Sequence, residues 1–309
     1  MIWNNALRSI SQGVILSRRG DMVILNNVSF KLAFGRIGRK FLVLIVVLST
    51  HNSAAYAHQG EPPKMLKISF AKTAIRDELV LSPIDANKLR VESERKRSTK
   101  SIQTKTIDYA VPEKVVATPA THGSWVSVSG GDVWRLSVKA PGATDLNFGF
   151  TKYMMPMGAT LHVYDTEKRH FQGPYTAKHN YQHGQLWTPL TPGPEALIEV
   201  FVPSGSKDKL KLELGTVGKG YRNIFQVGLS SIIKQGGCNI DVICSEGDPW
   251  RDEIRSVSVY GLNGNRFCTA TLINNVEQDF RPFFLTASHC EVTSSNAASV
   301  VAYWNYESP

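Results

Sequence analysis

The residues best suited to chemistry lie near the end of the chain, in the stretch PFFLTASHC at residues 282–290. An apolar run there ends in His289, which is followed directly by Cys290. Histidine is the usual general base because its pKa of about 6.5 lets it accept and return a proton near neutrality. A base that serves a serine nucleophile needs a rigid support and a carboxylate on its other ring nitrogen. The stretch therefore predicts a base held at the end of a strand.

The formal net charge of +9 is distributed unevenly along the 309 residues. Residues 1–57 carry seven basic residues and one acidic residue, whereas the rest of the chain carries 28 basic and 25 acidic residues. A charge excess at one end is typical of a targeting segment and not of a phosphate-binding surface. We therefore expect no nucleic-acid partner.

Residues 1–57 have the organisation of a secretory signal peptide. The basic stretch GRIGRK precedes the apolar run FLVLIVVLS, and the small residues of SAAYA follow, which predicts cleavage between Ala57 and His58. The apolar run of about nine residues is shorter than the roughly 20 that span a membrane. We expect a secreted protein with no membrane association after cleavage. A retained signal anchor and a later start at Met22 remain alternatives.

All four cysteines follow residue 237, and they are Cys238, Cys244, Cys268 and Cys290. An even number of clustered cysteines in an exported chain indicates disulfides, and four cysteines allow three pairings. One of these would tie Cys290 to Cys268 on a neighbouring strand and hold the loop of His289. The spacings do not match the Cys-x-x-Cys pairs of structural zinc sites, so we expect no metal and no cofactor.

The rest of the chain divides into three parts. Residues 58–117 are predicted to be a polar linker or pro-segment. From about Trp125, polar and apolar residues alternate between turn sequences, which predicts a β-sandwich of about six strands in residues 118–234. The proline-containing stretch GQLWTPLTPG is expected at its edge. His179 and His183 are expected to be exposed loop histidines and not metal ligands.

Residues 235–309 contain four further strand patterns with no helix between them. These are IRSVSVYG, RFCTATLINN, PFFLTASHC and SVVAYWNY. Strands without intervening helices throughout the chain predict an all-β protein.

The motifs resemble a broad class of peptidases and, within that class, one particular family. FLTASHC resembles the histidine motif of trypsin-fold serine peptidases. Together with CNIDVICSEGDPWRDEIRSVSVYG, CTATLINN and VVAYWNYES, it resembles the bacterial lysyl endopeptidases, which are secreted enzymes that cleave after lysine. GATLHVYD, GQLWTP and IEVFVP are similar to the propeptide of that family.

The resemblance implies a precursor in which His289 is the catalytic base and Cys268–Cys290 is the disulfide beside it. The fold that it implies is a propeptide β-sandwich followed by about four strands of the first of two trypsin-like barrels. Protein or peptide substrates are the partners expected for the family.

The resemblance also bears on three residues nearer the sandwich. Cys238 and Cys244 match cysteines whose family partners lie far downstream, so they are expected to be unpaired or bonded to each other. Lys234 falls near the family's propeptide junction and is the candidate processing site.

The catalytic Asp and Ser of the family, and its acidic lysine-reading residue, align beyond residue 309, and no Gly-Asp-Ser-Gly-Gly stretch is present. We therefore expect a C-terminally truncated precursor that is inactive alone, so whether this chain is itself an enzyme stays open. An unclosed barrel exposes a strand edge, which predicts a monomer or an aggregating fragment. The alternative is a secreted, non-catalytic sandwich that binds a partner or assists folding.

Overall fold

The structure is a computed structural model that describes residues 14–15, 62–64, 78–99, 106–224, 242–279 and 281–305. The predicted signal cleavage site at Ala57 and His58, the alternative start at Met22, the candidate processing site Lys234 and Cys238 lie outside the described residues. No helix within the described ranges is long and apolar enough to cross a membrane.

Within these ranges the chain is built almost entirely of strands. The helices are α1 (Ala86–Thr99) and α2 (Arg251–Ile254). The strands are β1 (Val14–Ile15), β2 (Glu78–Val80), β3 (Ile107–Asp108), β4 (Ala110–Ala117), β5 (Ser124–Val128), β6 (Gly131–Lys139), β7 (Asp145–Met154), β8 (Thr160–Asp165), β9 (Phe171–Tyr175), β10 (Leu186–Trp187), β11 (Thr191–Pro192), β12 (Glu195–Pro203), β13 (Lys211–Gly220), β14 (Val257–Leu262), β15 (Arg266–Ile273), β16 (Phe283–Thr286) and β17 (Val301–Trp304). The predicted all-β fold is confirmed.

Two antiparallel sheets form a sandwich. One has the strand order β10-β7-β13-β4, with β11 also paired to β7. The other has the order β2-β6-β12-β8-β9, and β5 also pairs with β6. Strand β2 runs parallel to β6, whereas the other pairs of this sheet are antiparallel. Strands of both sheets contribute fully buried side chains to one core, among them Leu136, Phe148, Ile198 and Val217. The stretch GQLWTPLTPG supplies β10 and β11 at a sheet edge, as its prolines predicted.

The sandwich begins earlier than the sequence pattern placed it. Strands β2 and β4 both precede residue 118 and both belong to its sheets, so residues 58–117 are more than a linker. Pro112 and the charged residues of β4 obscure its alternation, and such a strand is tolerated because β4 lies at a sheet edge, paired only to β13. The charge run at residues 94–97 lies in helix α1.

A third sheet carries the residues after 256 and is called here the base-bearing sheet. Its order is β1-β17-β14-β15-β16, and it contains all four strands predicted in residues 235–309. Among the described strands this sheet is open. Strand β3, which leads into the sandwich, pairs with Arg266 and Phe267 at the start of β15. The sandwich and the base-bearing sheet are therefore joined by backbone pairing as well as by side chains.

Candidate active site

His289 lies in a short 3-10 turn, Ser288–Cys290, directly after strand β16. The strand pairs with β15 along its whole length. Phe284 anchors it, since its buried ring makes edge contacts with Tyr260 at 5.6 Å and Trp304 at 5.9 Å between centroids. The hydroxyl of Thr286 donates to the carbonyl oxygen of Thr269 at 2.9 Å. The support of the histidine is thus a packed, hydrogen-bonded strand end, as the motif predicted.

A disulfide between Cys268 and Cys290 ties the turn to β15, with the two Cα atoms 6.0 Å apart. Both cysteines are buried. Potential ligand atoms of Cys268, His289 and Cys290 lie within 4.8 Å of one another. Metal ligation needs thiolates, however, and these two sulfurs are bonded to each other, so the group does not fit a metal site. Cys244 is exposed and free.

The turn is held on its other side through Glu291. This residue has φ of +59°, and its carbonyl oxygen accepts a hydrogen bond from the Asn296 amide at 2.9 Å. Its carboxylate accepts from Arg266 Nη1 at 2.5 Å, and Arg266 Nε donates to Asp108 Oδ1 at 3.3 Å. Burial lowers the pKa of Arg266, but the bonds to the two carboxylates raise it overall. Arg266 therefore connects the histidine turn to the strand that leads into the sandwich.

The exposed ring of His289 borders a cavity of about 490 Å³ between helix α1 and the base-bearing sheet. The helix contributes Glu92, Ser93 and Lys96 to the lining, and Glu291 also lines the cavity. Among the described residues, the His289 ring makes no hydrogen bond to a serine, aspartate or glutamate. Within the described ranges, the geometry therefore places a base at a cavity but brings no hydroxyl nucleophile and no orienting carboxylate into hydrogen-bond contact with its ring.

Hydrogen bonds from one buried arginine, Arg222, hold helix α1 at this cavity. Arg222 is 4% exposed, and its Nη2 donates to Ser93 Oγ at 2.7 Å. Its Nε donates to the Asp108 carbonyl oxygen at 2.6 Å. One side chain therefore holds both the helix and strand β3. Nothing in the local sequence pattern marked Arg222, Arg266 or Glu291, because their partners lie far away along the chain.

The expectation that the histidines of the KHNYQHG stretch are exposed was wrong for His179. It is buried in a 3-10 turn, where its Nδ1 accepts a hydrogen bond from the Thr176 backbone at 2.9 Å. Burial lowers the pKa of His179 and also that of the half-buried His183. His179 caps a turn, so its role is structural. The capping pattern of Thr176 three residues earlier was the available signal.

The fold and the site define a class: an all-β protein whose last described strands present a disulfide-held histidine at a strand end. The family model described as the lysyl endopeptidase N-terminal domain matches residues 80–217, and that described as the lysyl endopeptidase C-terminal domain matches residues 232–309. The chain belongs to the lysyl endopeptidase family.

A curated relative is the lysyl endopeptidase of Pseudomonas aeruginosa, which is 22% identical over 186 residues. The match covers 56% of this chain and 40% of the relative. The chain therefore spans about two fifths of the length of this relative.

Proposed function

We propose that this chain comprises the pro-region and the base-bearing part of a secreted serine endopeptidase that cleaves after lysine. The observation that carries the proposal is the position of His289, at a strand end, beside the Cys268–Cys290 disulfide and open to a cavity. The similarity to the lysyl endopeptidase of Pseudomonas aeruginosa supports the substrate class. The basic and apolar leader supports export, with cleavage between Ala57 and His58.

In this mechanism His289 accepts the proton of a serine hydroxyl as the oxygen attacks the peptide carbonyl, and then gives it to the leaving amine. The serine, the orienting aspartate and the lysine-reading carboxylate belong to polypeptide that this sequence does not include. This chain alone is then inactive. Lys234 is the junction at which cleavage after lysine would separate the pro-region from the peptidase part.

The sandwich is the pro-domain in this proposal. Helix α1 contributes Glu92, Ser93 and Lys96 to the lining of the cavity that His289 also borders. A substrate that fills this cavity would have to displace these helix side chains.

The test begins with sequencing the DNA that follows the Pro309 codon and expressing the reading frame that continues this sequence. We expect a serine in a Gly-Asp-Ser-Gly context and hydrolysis of peptides after lysine in preference to arginine. His289→Gln should lower kcat by at least about 10⁴-fold, whereas the control His122→Gln, in a sandwich loop, should not. A continuing frame with no such serine, or full activity of His289→Gln, would contradict the proposal.

A second candidate function is a secreted, non-catalytic sandwich that assists the folding of an intact relative. The observation that favours this function is that the sandwich has its own hydrophobic core, which includes Trp134, Phe150 and Leu161. Addition of the full chain should then raise the yield of active lysyl endopeptidase refolded from urea. An unchanged yield would exclude this function.

A further inference from the structure

The five-stranded sheet has a polar outer face that contacts the base-bearing sheet. Side chains of a strand alternate between faces, so Asp145 and Asn147 of β7 share one face, while Leu146 and Phe148 point into the sandwich core. On the neighbouring strand β13, Gly220 lies under the Asp145 carboxylate, since an added Cβ there would meet Oδ1 at 2.1 Å. This face is called here the docking face.

The docking face receives the turn between β14 and β15. Asn147 Nδ2 donates to the carbonyl oxygen of Gly264 at 3.0 Å and to the Tyr109 hydroxyl at 3.2 Å. A Cβ at Gly218 would lie 2.2 Å from the same carbonyl oxygen, so the turn approaches the sheet at a point where only glycine leaves room. The contact is therefore complementary in shape as well as in hydrogen bonding.

The carboxyl group of Asp145 lies at this contact and is 0% exposed. Its Oδ2 accepts from the Thr144 hydroxyl at 2.8 Å, while its Oδ1 has no hydrogen-bond partner among the described residues. The titratable groups that face it are Tyr109, before β4, and Tyr303, on β17. Burial raises the pKa of both tyrosines, and the negative charge of Asp145 adds to the rise. No basic side chain of the described residues compensates the carboxylate.

A buried carboxylate without a cationic partner favours its neutral form, because the charged form loses its hydration. Burial raises the pKa of Asp145 to about 7, with the Thr144 hydrogen bond opposing the rise. When the two sheets separate, this carboxyl meets water and its pKa falls towards the ordinary value of about 4. The docked state therefore binds the proton more tightly than the undocked state.

We propose that the docking face is a proton-dependent interaction surface whose partner is the turn Asn263–Asn265 of the base-bearing sheet, held while Asp145 is protonated and released as it ionises. The regulatory meaning rests on the proposed function: release removes helix α1 and its sandwich from the cavity of His289. In such a precursor, acidity would keep helix α1 at the cavity beside His289 and a neutral medium would release it.

The direction of the pH dependence of docking, and the pH range in which it occurs, follow from proton linkage. A carboxyl whose pKa is higher in the docked state stabilises docking fully below the undocked pKa of about 4, and this stabilisation is lost as pH rises towards about 7. The docking equilibrium weakens about tenfold for each pH unit within this window and levels off above it. Between about pH 5 and about pH 8 the loss approaches about 100-fold.

Hydrogen exchange of the full chain, corrected for intrinsic rates, measures this docking directly. We expect exchange at residues 262–267 and 107–110 to accelerate by up to about 100-fold between about pH 5 and about pH 8. Protection of β12, in the sandwich core, should stay unchanged. Asp145→Asn should dock equally at both pH values, whereas Asp165→Asn, which changes a buried carboxylate elsewhere in the sandwich, should behave as the parent chain.

Three results would overturn the proposal: equal protection of the docked segments at both pH values, a pH dependence that survives in Asp145→Asn, or simultaneous loss of protection in β12. If Asp145→Asn does not fold, Thr144→Val provides the second variant, because loss of its hydrogen bond should move the transition to higher pH. Exchange reports docking without any catalysis. If the protein expressed from the continuing reading frame is inactive, the proposed function is refuted, but the exchange result on docking is unaffected.

Discussion

The Asn147 side-chain amide donates a hydrogen bond to the Gly264 carbonyl oxygen at 3.0 Å, across a sequence separation of 117 residues. Asn147 lies in a sandwich strand and Gly264 lies in the turn between β14 and β15, so the bond lies where the sandwich meets the base-bearing sheet. Around it, Tyr109 stacks on Phe267 with ring centroids 4.0 Å apart. The Tyr303 hydroxyl accepts from the Leu190 backbone at 3.3 Å. This junction connects the base-bearing sheet, with its histidine turn, to the sandwich. Substitutions at the junction should therefore affect the stability of both parts.

Gly264→Ala should weaken the junction. The backbone at Gly264 has φ of +68°, and an added Cβ would lie 2.3 Å from Asn147 Oδ1. Alanine in a left-handed conformation costs about 1–2 kcal/mol by itself, and the clash adds to this. The control is Gly205→Ala, with φ of +72° and nothing within 4 Å of its Cβ. Urea unfolding should show the larger loss for Gly264→Ala, and equal losses would mean that the contact with Asn147 is unimportant.

Removal of the disulfide should loosen the histidine turn. Cys268 and Cys290 are 22 residues apart, and a loop of that size is worth about 3 kcal/mol. The double variant Cys268→Ala/Cys290→Ala should lower the free energy of unfolding of the base-bearing sheet by about this amount, measured by exchange of β14 in increasing urea. Cys244→Ala is the control, because that cysteine is exposed and free. Equal stability of the two variants would argue against a structural role for the bond.

Glu113→Gln should destabilise the sandwich, because it leaves the buried ammonium of Lys219 without its partner at 2.6 Å. Lys219 is 3% exposed, whereas Glu113 is about a quarter exposed, so we expect a loss of about 2 kcal/mol, below the range for fully buried pairs. Glu213→Gln is the matched control, since Glu213 pairs at the same distance with an exposed lysine, Lys152. Its loss should stay below about 1 kcal/mol, and chemical denaturation compares the two.

The same pair should contribute to acid sensitivity. Burial raises the pKa of Glu113, but hydrogen bonds from Lys219 and Ser82 lower it overall below its ordinary value. A carboxyl with a depressed pKa stabilises the fold above its unfolded pKa and loses this contribution as pH falls through the folded value. Acid unfolding of the parent chain should therefore show a dependence below about pH 4.5 that is weaker in Glu113→Gln. An identical acid transition would refute this assignment.

Arg222→Met should release helix α1 from the cavity of His289 without unfolding the sandwich. The substitution removes the hydrogen bonds to Ser93 Oγ and to the Asp108 carbonyl while keeping much of the apolar volume. Hydrogen exchange in Ala86–Thr99 should accelerate, with β6 unaffected. Arg255→Met is the control, because Arg255 is exposed and its ion-pair partner among the described residues is Asp252, in the adjacent helix α2. Unchanged exchange of the helix would show that other contacts hold it.

The sequence by itself determined strands β14 to β17 of the base-bearing sheet and the sandwich edge at GQLWTPLTPG, but not β1 or β3, which also pair in that sheet. It also determined the position of His289 before a cysteine, because these features depend on alternation, turn residues and motifs within a few positions. The pairing of Cys268 with Cys290 in the structure agrees with the arrangement that the family resemblance implied, while Cys238 and Lys234 stay predictions.

Only the tertiary structure decided how the two parts meet. Strand β4 was not predicted, because Pro112 interrupts its alternating pattern. The proline is tolerated there because β4 lies at a sheet edge. The burial of Asp145 could not be read from its neighbours, because the groups that exclude water from it, such as Tyr303, come from the far end of the chain. The pKa of a carboxyl is set by the solvent and charge around it in space, and that environment exists only once distant segments have packed.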